Sequence, residues 1–124
     1  MDAAEKIKSY HAHVYYDDAS REEAATLREA IESSFTVTMG RWRDEPVGPH
    51  PVAMYQVAFE TDEFPRLVPW LMLNHGSLDV LIHPNTGQDV EDHRDRALWL
   101  GTKLELNIEF LEAFMAKQAA EAKQ

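Results

Sequence analysis

Residues 7–16, Ile7-Lys8-Ser9-Tyr10-His11-Ala12-His13-Val14-Tyr15-Tyr16, alternate from Tyr10 onward. Tyr10, Ala12, Val14 and Tyr16 fall on one side; His11, His13 and Tyr15 fall on the other. Successive side chains of a strand point to opposite faces, so this is the period-two pattern of a β-strand. One face is apolar and the other carries histidine, so the sheet around it must meet different partners on its two sides. Asp17 and Asp18 end the run. Ser20-Arg21-Glu22-Glu23 follows as a capping box, serine at the N-cap and glutamate three residues on. Ala24, Leu27 and Ile31 then recur at helical spacing and predict a helix to about Ser34.

Phe35, Val37 and Met39 alternate with Thr36, Thr38 and Gly40, predicting a second strand that ends near Arg43. Residues 44–51 hold three prolines and a glycine, which no ladder tolerates, so they form a loop. Val52 to Glu60 is rich in β-formers and reads as the third strand. Thr61 or Asp62 can cap a second helix to about Asn74, with Gly76 as its stop and a kink or split expected at Pro69. Leu78 to His83 reads as the fourth strand, closed by the turn Pro84-Asn85-Thr86-Gly87. Asp92 can cap a short helix through Trp99, ended by Gly101. Asn107 can start a terminal helix with Ile108, Leu111, Phe114 and Met115 on its apolar face.

The order is β-α-β-β-α-β plus C-terminal helices, an α+β chain with the ferredoxin-like sequence of elements. Right-handed crossovers put both helices on one face of an antiparallel sheet. The first and third strands are then central, and the fourth lies antiparallel beside the first. The second sheet face stays bare unless the tail, a ligand or another subunit covers it, which is the basis for expecting a homodimer. No linker divides the chain, so residues 1–124 read as one domain, frayed at 1–6 and 117–124.

Composition narrows the chemistry. The chain has 124 residues and no cysteine, which excludes thiolate metal sites, disulfides and a cysteine nucleophile. Twelve basic against 22 acidic residues give a net charge of −10, which argues against nucleic acid or an anionic membrane as partner. The longest apolar stretch, Leu67 to Leu73, is too short to span a bilayer, and Met1 to Lys8 lacks a signal-peptide core. A cytoplasmic protein is expected. Six histidines remain, so any metal chemistry falls to imidazole and carboxylate.

His11 and His13 share a face with β-carbons about 7 Å apart, close enough for two imidazoles to meet one ion. The same short pattern also fits two half-buried histidines bonded to backbone. His83 ends the strand paired with the first, and its parity puts it on their face. The topology therefore gathers three histidines, a set that suits Fe(II), Zn or Mn. Asp79 has the same parity and reads as a solvated strand residue or a weak ligand candidate. His50, in Gly48-Pro49-His50-Pro51, is held between prolines, and its ordinary pKa near neutrality suits acid–base work. A turn histidine of no consequence is the plain alternative. Arg41 and Arg43 nearby form a locally basic spot for an anionic substrate, or simple surface charge. His93 reads chiefly as a helix-start residue, His75 as a helix C-terminal residue, and Tyr55 as a packing tyrosine with a usable hydroxyl.

Several segments resemble the DOPA 4,5-dioxygenase family: His11-Ala12-His13-Val14-Tyr15-Tyr16, Gly40-Arg41-Trp42, Pro46-Val47-Gly48-Pro49-His50-Pro51 and Met54-Tyr55-Gln56-Val57. So do Val68-Pro69-Trp70-Leu71, His83-Pro84-Asn85-Thr86-Gly87, Asp92-His93 and Trp99-Leu100-Gly101, and together they span Tyr10 to Gly101. The resemblance implies a cytosolic non-heme-iron extradiol dioxygenase that opens the ring of DOPA or a related catechol with O2. Together with the strand pairing read above, it leads to Fe(II), or another divalent metal such as Zn, on His11, His13 and His83. Acid–base work falls to His50 and His93, and substrate contact to Arg41 and Tyr55. Relatives often carry histidine where this chain has Arg43. Two other classes compete: a non-catalytic, dimeric ferredoxin-like binding module, and a metal-dependent enzyme acting on another small molecule.

Overall fold

The computed structural model describes residues 6–122. Its sheet contains β1 (Ser9–Tyr15), β2 (Thr38–Met39), β3 (Met54–Phe59), β4 (Asp79–Asn85) and β5 (Leu98–Leu100) in the order β2-β3-β1-β4-β5. All four pairings are antiparallel. Helix α1 (Arg21–Ser34) connects β1 to β2, and α2 (Phe64–Asn74) connects β3 to β4 after a 3-10 turn at Thr61–Glu63. This is the expected ferredoxin-like arrangement with one strand added at the β4 edge.

The core lies between the sheet and the two helices. Ala12, Val14, Tyr55, Val57, Phe59, Val80 and Ile82 meet Ala24, Leu27 and Ile31 of α1 and Leu67, Val68 and Leu71 of α2. Each buried aliphatic side chain contributes roughly 1.5–3 kcal/mol relative to exposure. The alternation of Tyr10–Tyr16 appears as expected: Ala12, Val14 and Tyr16 enter this core, while Tyr15 joins Met54 and Leu81 on the other face.

Several local expectations need correction. The capping box does not form. Ser20 Oγ donates to Asp17 Oδ1 and accepts from Asp17 N, while Glu23 is drawn to Ser77 N and Oγ. The second strand shrinks to Thr38–Met39, with one further bridge between Arg43 and Met54. Helix α2 runs unbroken through Pro69. β4 extends through Pro84 and Asn85 where a turn was expected. The β5 ladder has already ended at Ile82–Leu98, so Pro84 needs no bond on that side.

The predicted helix from Asp92 to Trp99 is replaced by two elements, α3 (Asp89–His93) and β5. The terminal helix α4 (Ile108–Ala122) begins where expected, with Asn107 Oδ1 accepting from Phe110 N at 3.2 Å. Residues 117–122 continue this helix, and residues 1–5 and 123–124 lie outside the described part. Only Leu111 of α4 is buried; Phe114, assigned to its apolar face, is exposed. The second sheet face is not bare. Ala97, Trp99, Leu104 and Leu106 pack on Tyr15, Met54 and Leu81. The chain's own C-terminal segment therefore covers part of the surface on which a second subunit was expected.

Candidate metal centre

β1 and β4 are paired with His11 directly opposite His83. Alternation along β1 puts His13 on the same face. One nitrogen from each of His11, His13 and His83 lies within 4.8 Å of the others. His13 and His83 are buried and His11 is half-buried. Among the described residues no carboxylate joins this group.

Two further histidines come over it. His50 arrives on the loop before β3, its ring 4.2 Å from that of His13. Gly48 takes a φ of 58° at the first central position of the Val47–His50 turn, a conformation glycine accepts without strain. The following Pro49 carbonyl accepts from Asn107 N at 2.8 Å, which ties this loop to the start of α4. His93 arrives on α3, its ring 3.9 Å from that of His83. Buried Asp92 anchors α3: it accepts from Thr86 N at 2.8 Å and pairs with Arg96 Nη1 at 3.0 Å. Asp92 is therefore a buried anchor inside the helix, not the N-cap expected from sequence.

The electrostatics of the cluster favour neutral rings. Burial, then the neighbouring imidazoles with His93 foremost, pushes His83 down to about 3. Burial and then His93 and His11 push His50 down to about 4. His13 is held well below its ordinary value by burial and by His50, His83, His11 and His93 in turn. Burial and His93 also lower His11, opposed by Asp89. Neutral imidazoles keep a lone pair each, the form in which histidine ligates metals.

The hydrogen bonds show where some lone pairs lie. Pro84 O can only accept, so His83 Nδ1–H donates to it at 2.9 Å and leaves Nε2 bare. That second partner on the outer ring nitrogen is the usual way a ligating histidine is oriented. His13 Nε2 stands 3.1 Å from His83 Nε2, and His13 Nδ1 is buried with no partner. The protein alone thus leaves this pair incompletely satisfied. Two nitrogens each about 2.1 Å from a shared ion stand about 3 Å apart when they subtend a right angle. The donor set therefore fits a divalent cation.

Two cavities reach the cluster. One of about 220 Å³ is lined by His50, Gln56, Gly40, Arg41 and Arg43, so the expected basic spot adjoins His50. The other, of about 750 Å³, touches the cluster at His83 but runs mainly along Tyr10, Phe64, Ile82 and Leu98 at the end of the sheet. Asp79 lies elsewhere, accepting from Thr102 N at 2.7 Å. Tyr55, expected to touch substrate, points to the opposite face. It is fully buried among the helices, with its hydroxyl donating to Ala24 O at 2.8 Å. His75 caps the end of α2, with Nδ1 2.8 Å from Leu78 O. Two residues at the site were not singled out from sequence. Tyr15 shares the parity of His11 and His13, and its hydroxyl lies 2.7 Å from His50 Nδ1. Gln56 is the β3 partner of His13 and lines the smaller cavity. Parity was the available signal for both.

Known proteins resemble this chain in sequence and fold. The model of the Dopa 4,5-dioxygenase family matches residues 10–110. An "Uncharacterized 21.2 kDa protein" of Botryotinia fuckeliana is 34% identical, over 90% of this chain and 68% of its own length. A "DOPA 4,5-dioxygenase" of Amanita muscaria is 32% identical over 83% of this chain; the chain spans 49% of that protein's length. A crystal structure of a "putative dioxygenase" from Nostoc punctiforme is 53% identical, with a TM-score of 0.90 over 92% of this chain and 99% of that one. The chain belongs to the Dopa 4,5-dioxygenase family.

Proposed function

We propose that this protein is a metal-dependent extradiol dioxygenase that opens the ring of a DOPA-like catechol with O2. The observation that carries the reading is the convergence of His11, His13 and His83 on one sheet face of a chain that belongs to this family. These three residues would hold the metal, with Fe(II) preferred over Zn or another divalent ion because the reaction consumes O2. When bound, the metal supplies Lewis acidity toward the two catechol oxygens and a place for O2 to react.

The chain's own residues do the rest. Burial of His13 and His83 keeps bulk water from the inner side of the site. Arg41 and Arg43 line the smaller cavity, where a guanidinium suits an anionic group of the substrate. His50, on the same cavity, is the group placed to hold or move a proton at Nε2. His93 Nδ1–H donates to Asp89 O at 2.7 Å, which leaves the Nε2 lone pair free of that bond.

The test is reconstitution. The purified chain is loaded with Fe(II) without oxygen, then given DOPA and simpler catechols in air. A yellow ring-opened product is expected. Metal uptake without colour on any catechol would point to a metal-dependent enzyme of another kind. Neither metal nor colour would point to a binding module.

A further inference from the structure

Tyr15 has no part in the chemistry outlined above, yet it touches the site. It lies on the histidine face of β1, buried at 3% exposure, with its ring stacked on Trp99 at 5.8 Å between centroids. Its hydroxyl is 2.7 Å from His50 Nδ1, and among the described residues this is its one hydrogen bond. We propose that Tyr15 is a positioning residue whose hydroxyl donates to His50 Nδ1 and so holds His50 in the tautomer with its proton on Nε2. The inference rests on the reading above in which His50 handles a proton at Nε2.

Two arrangements fit the contact. Either Tyr15 donates and Nδ1 accepts, or His50 Nδ1–H donates and the phenol oxygen accepts. The second leaves the phenolic proton inside the protein without an acceptor, so the hydroxyl loses its hydrogen bond to water with nothing in return. The first leaves nothing unpaired on that side. It leaves the proton on Nε2, across the ring from Tyr15, on a residue that lines the smaller cavity. A neutral imidazole with its proton on Nε2 offers a hydrogen bond to a negatively charged oxygen. It does not offer a lone pair to an incoming proton. His50 therefore serves as a fixed donor that holds its Nε2 proton toward oxyanion charge as it develops. A base at this position would need the tautomer that Tyr15 disfavours.

Sequence spacing hides this pair, because Tyr15 and His50 are 35 residues apart. The contact exists because the proline-flanked loop folds back over β1 and is pinned there by Asn107.

The test is long-range proton–nitrogen NMR on the full chain with labelled histidine, metal-free and with diamagnetic Zn(II). His50 is assigned by the signal lost in His50→Gln. In the wild type, Nδ1 is expected at the shift of an unprotonated acceptor and Nε2 at that of a protonated nitrogen. In Tyr15→Phe the two shifts should move toward each other as the tautomers mix, while His75 stays unchanged as a reporter of folding. A wild-type His50 protonated on Nδ1, or a Tyr15→Phe spectrum with His50 unmoved, overturns the proposal. Should Tyr15→Phe not fold, the wild-type tautomer decides alone. Loaded Tyr15→Phe enzyme should lose about tenfold in kcat with little change in KM. The metal-free spectrum needs no turnover, so its failure is distinguishable from failure of the dioxygenase reading.

Discussion

On one side of the sheet, Ala12, Val14, Val57, Val80 and Ile82 meet two helices through apolar contact alone. On the other side, one residue away along the same strands, His11, His13 and His83 meet His50 and His93. The first face needs only volume and hydrophobicity, which many sequences supply. The second face keeps imidazoles neutral by burial, and leaves His13 Nδ1 without a partner. Such an arrangement detracts from stability, so its presence points to function rather than folding. One face holds the protein together and the other carries the proposed chemistry, and the two should separate under mutation.

The largest separation is expected for His13→Ala. Loss of an outer partner of a metal ligand typically weakens metal affinity or activity about 10–100-fold. Loss of the ligand itself should exceed that in the reconstituted catechol assay, while circular dichroism shows the fold retained. Leu71→Ala should do the reverse. Leu71 is fully buried in the core, so its truncation should lower unfolding free energy by about 2–5 kcal/mol in urea melts. Metal content of the chain that remains folded should be unchanged.

Acid provides a gentler probe. His50 and His83 are pushed down from 6.5 to about 4 and about 3, so the folded chain refuses protons that the unfolded chain binds below pH 6.5. Their contribution to stability is thus present above pH 6.5 and falls as the pH drops toward the folded-state values. Each such histidine should add about 1.4 kcal/mol per pH unit to the loss in the metal-free protein. Urea melts of wild type and His50→Gln between pH 7 and 4.5 should show the shallower dependence in the variant. The smallest effect is expected for Tyr55→Phe. It removes one buried hydrogen bond to Ala24 O and should lower stability by about 1 kcal/mol, with metal uptake unchanged.

These two faces also differ in how far they could be read from sequence. The helix side follows from periodicity: Ala24, Leu27 and Ile31 at helical spacing, and Ala12 and Val14 at strand spacing, all lie in the core. The trio His11, His13 and His83 was legible too, because parity and antiparallel pairing of neighbouring strands suffice to bring it together. What escaped depends on contacts between distant segments. β5 was read as helix because Leu98-Trp99-Leu100 is too short to show a period, and its state is decided by pairing with β4. His93 looked like a helix-start residue because its approach to His83 depends on Asp92 reaching Thr86 and Arg96. The capping box failed because Glu23 found Ser77, 54 residues away. Tyr55 was misplaced for a simpler reason: a hydroxyl can serve a site only from the face that bears it.

The account's central claim is that His11, His13 and His83 together hold a metal. Metal analysis after anaerobic Fe(II) loading and desalting tests it most directly, comparing the wild type with His11→Ala, His13→Ala and His83→Ala. His75→Ala, outside the cluster, serves as the control. One ion per chain is expected for the wild type and the control, and none for His13→Ala or His83→Ala. A wild type that retains no metal, or cluster variants that retain as much as the control, would contradict it.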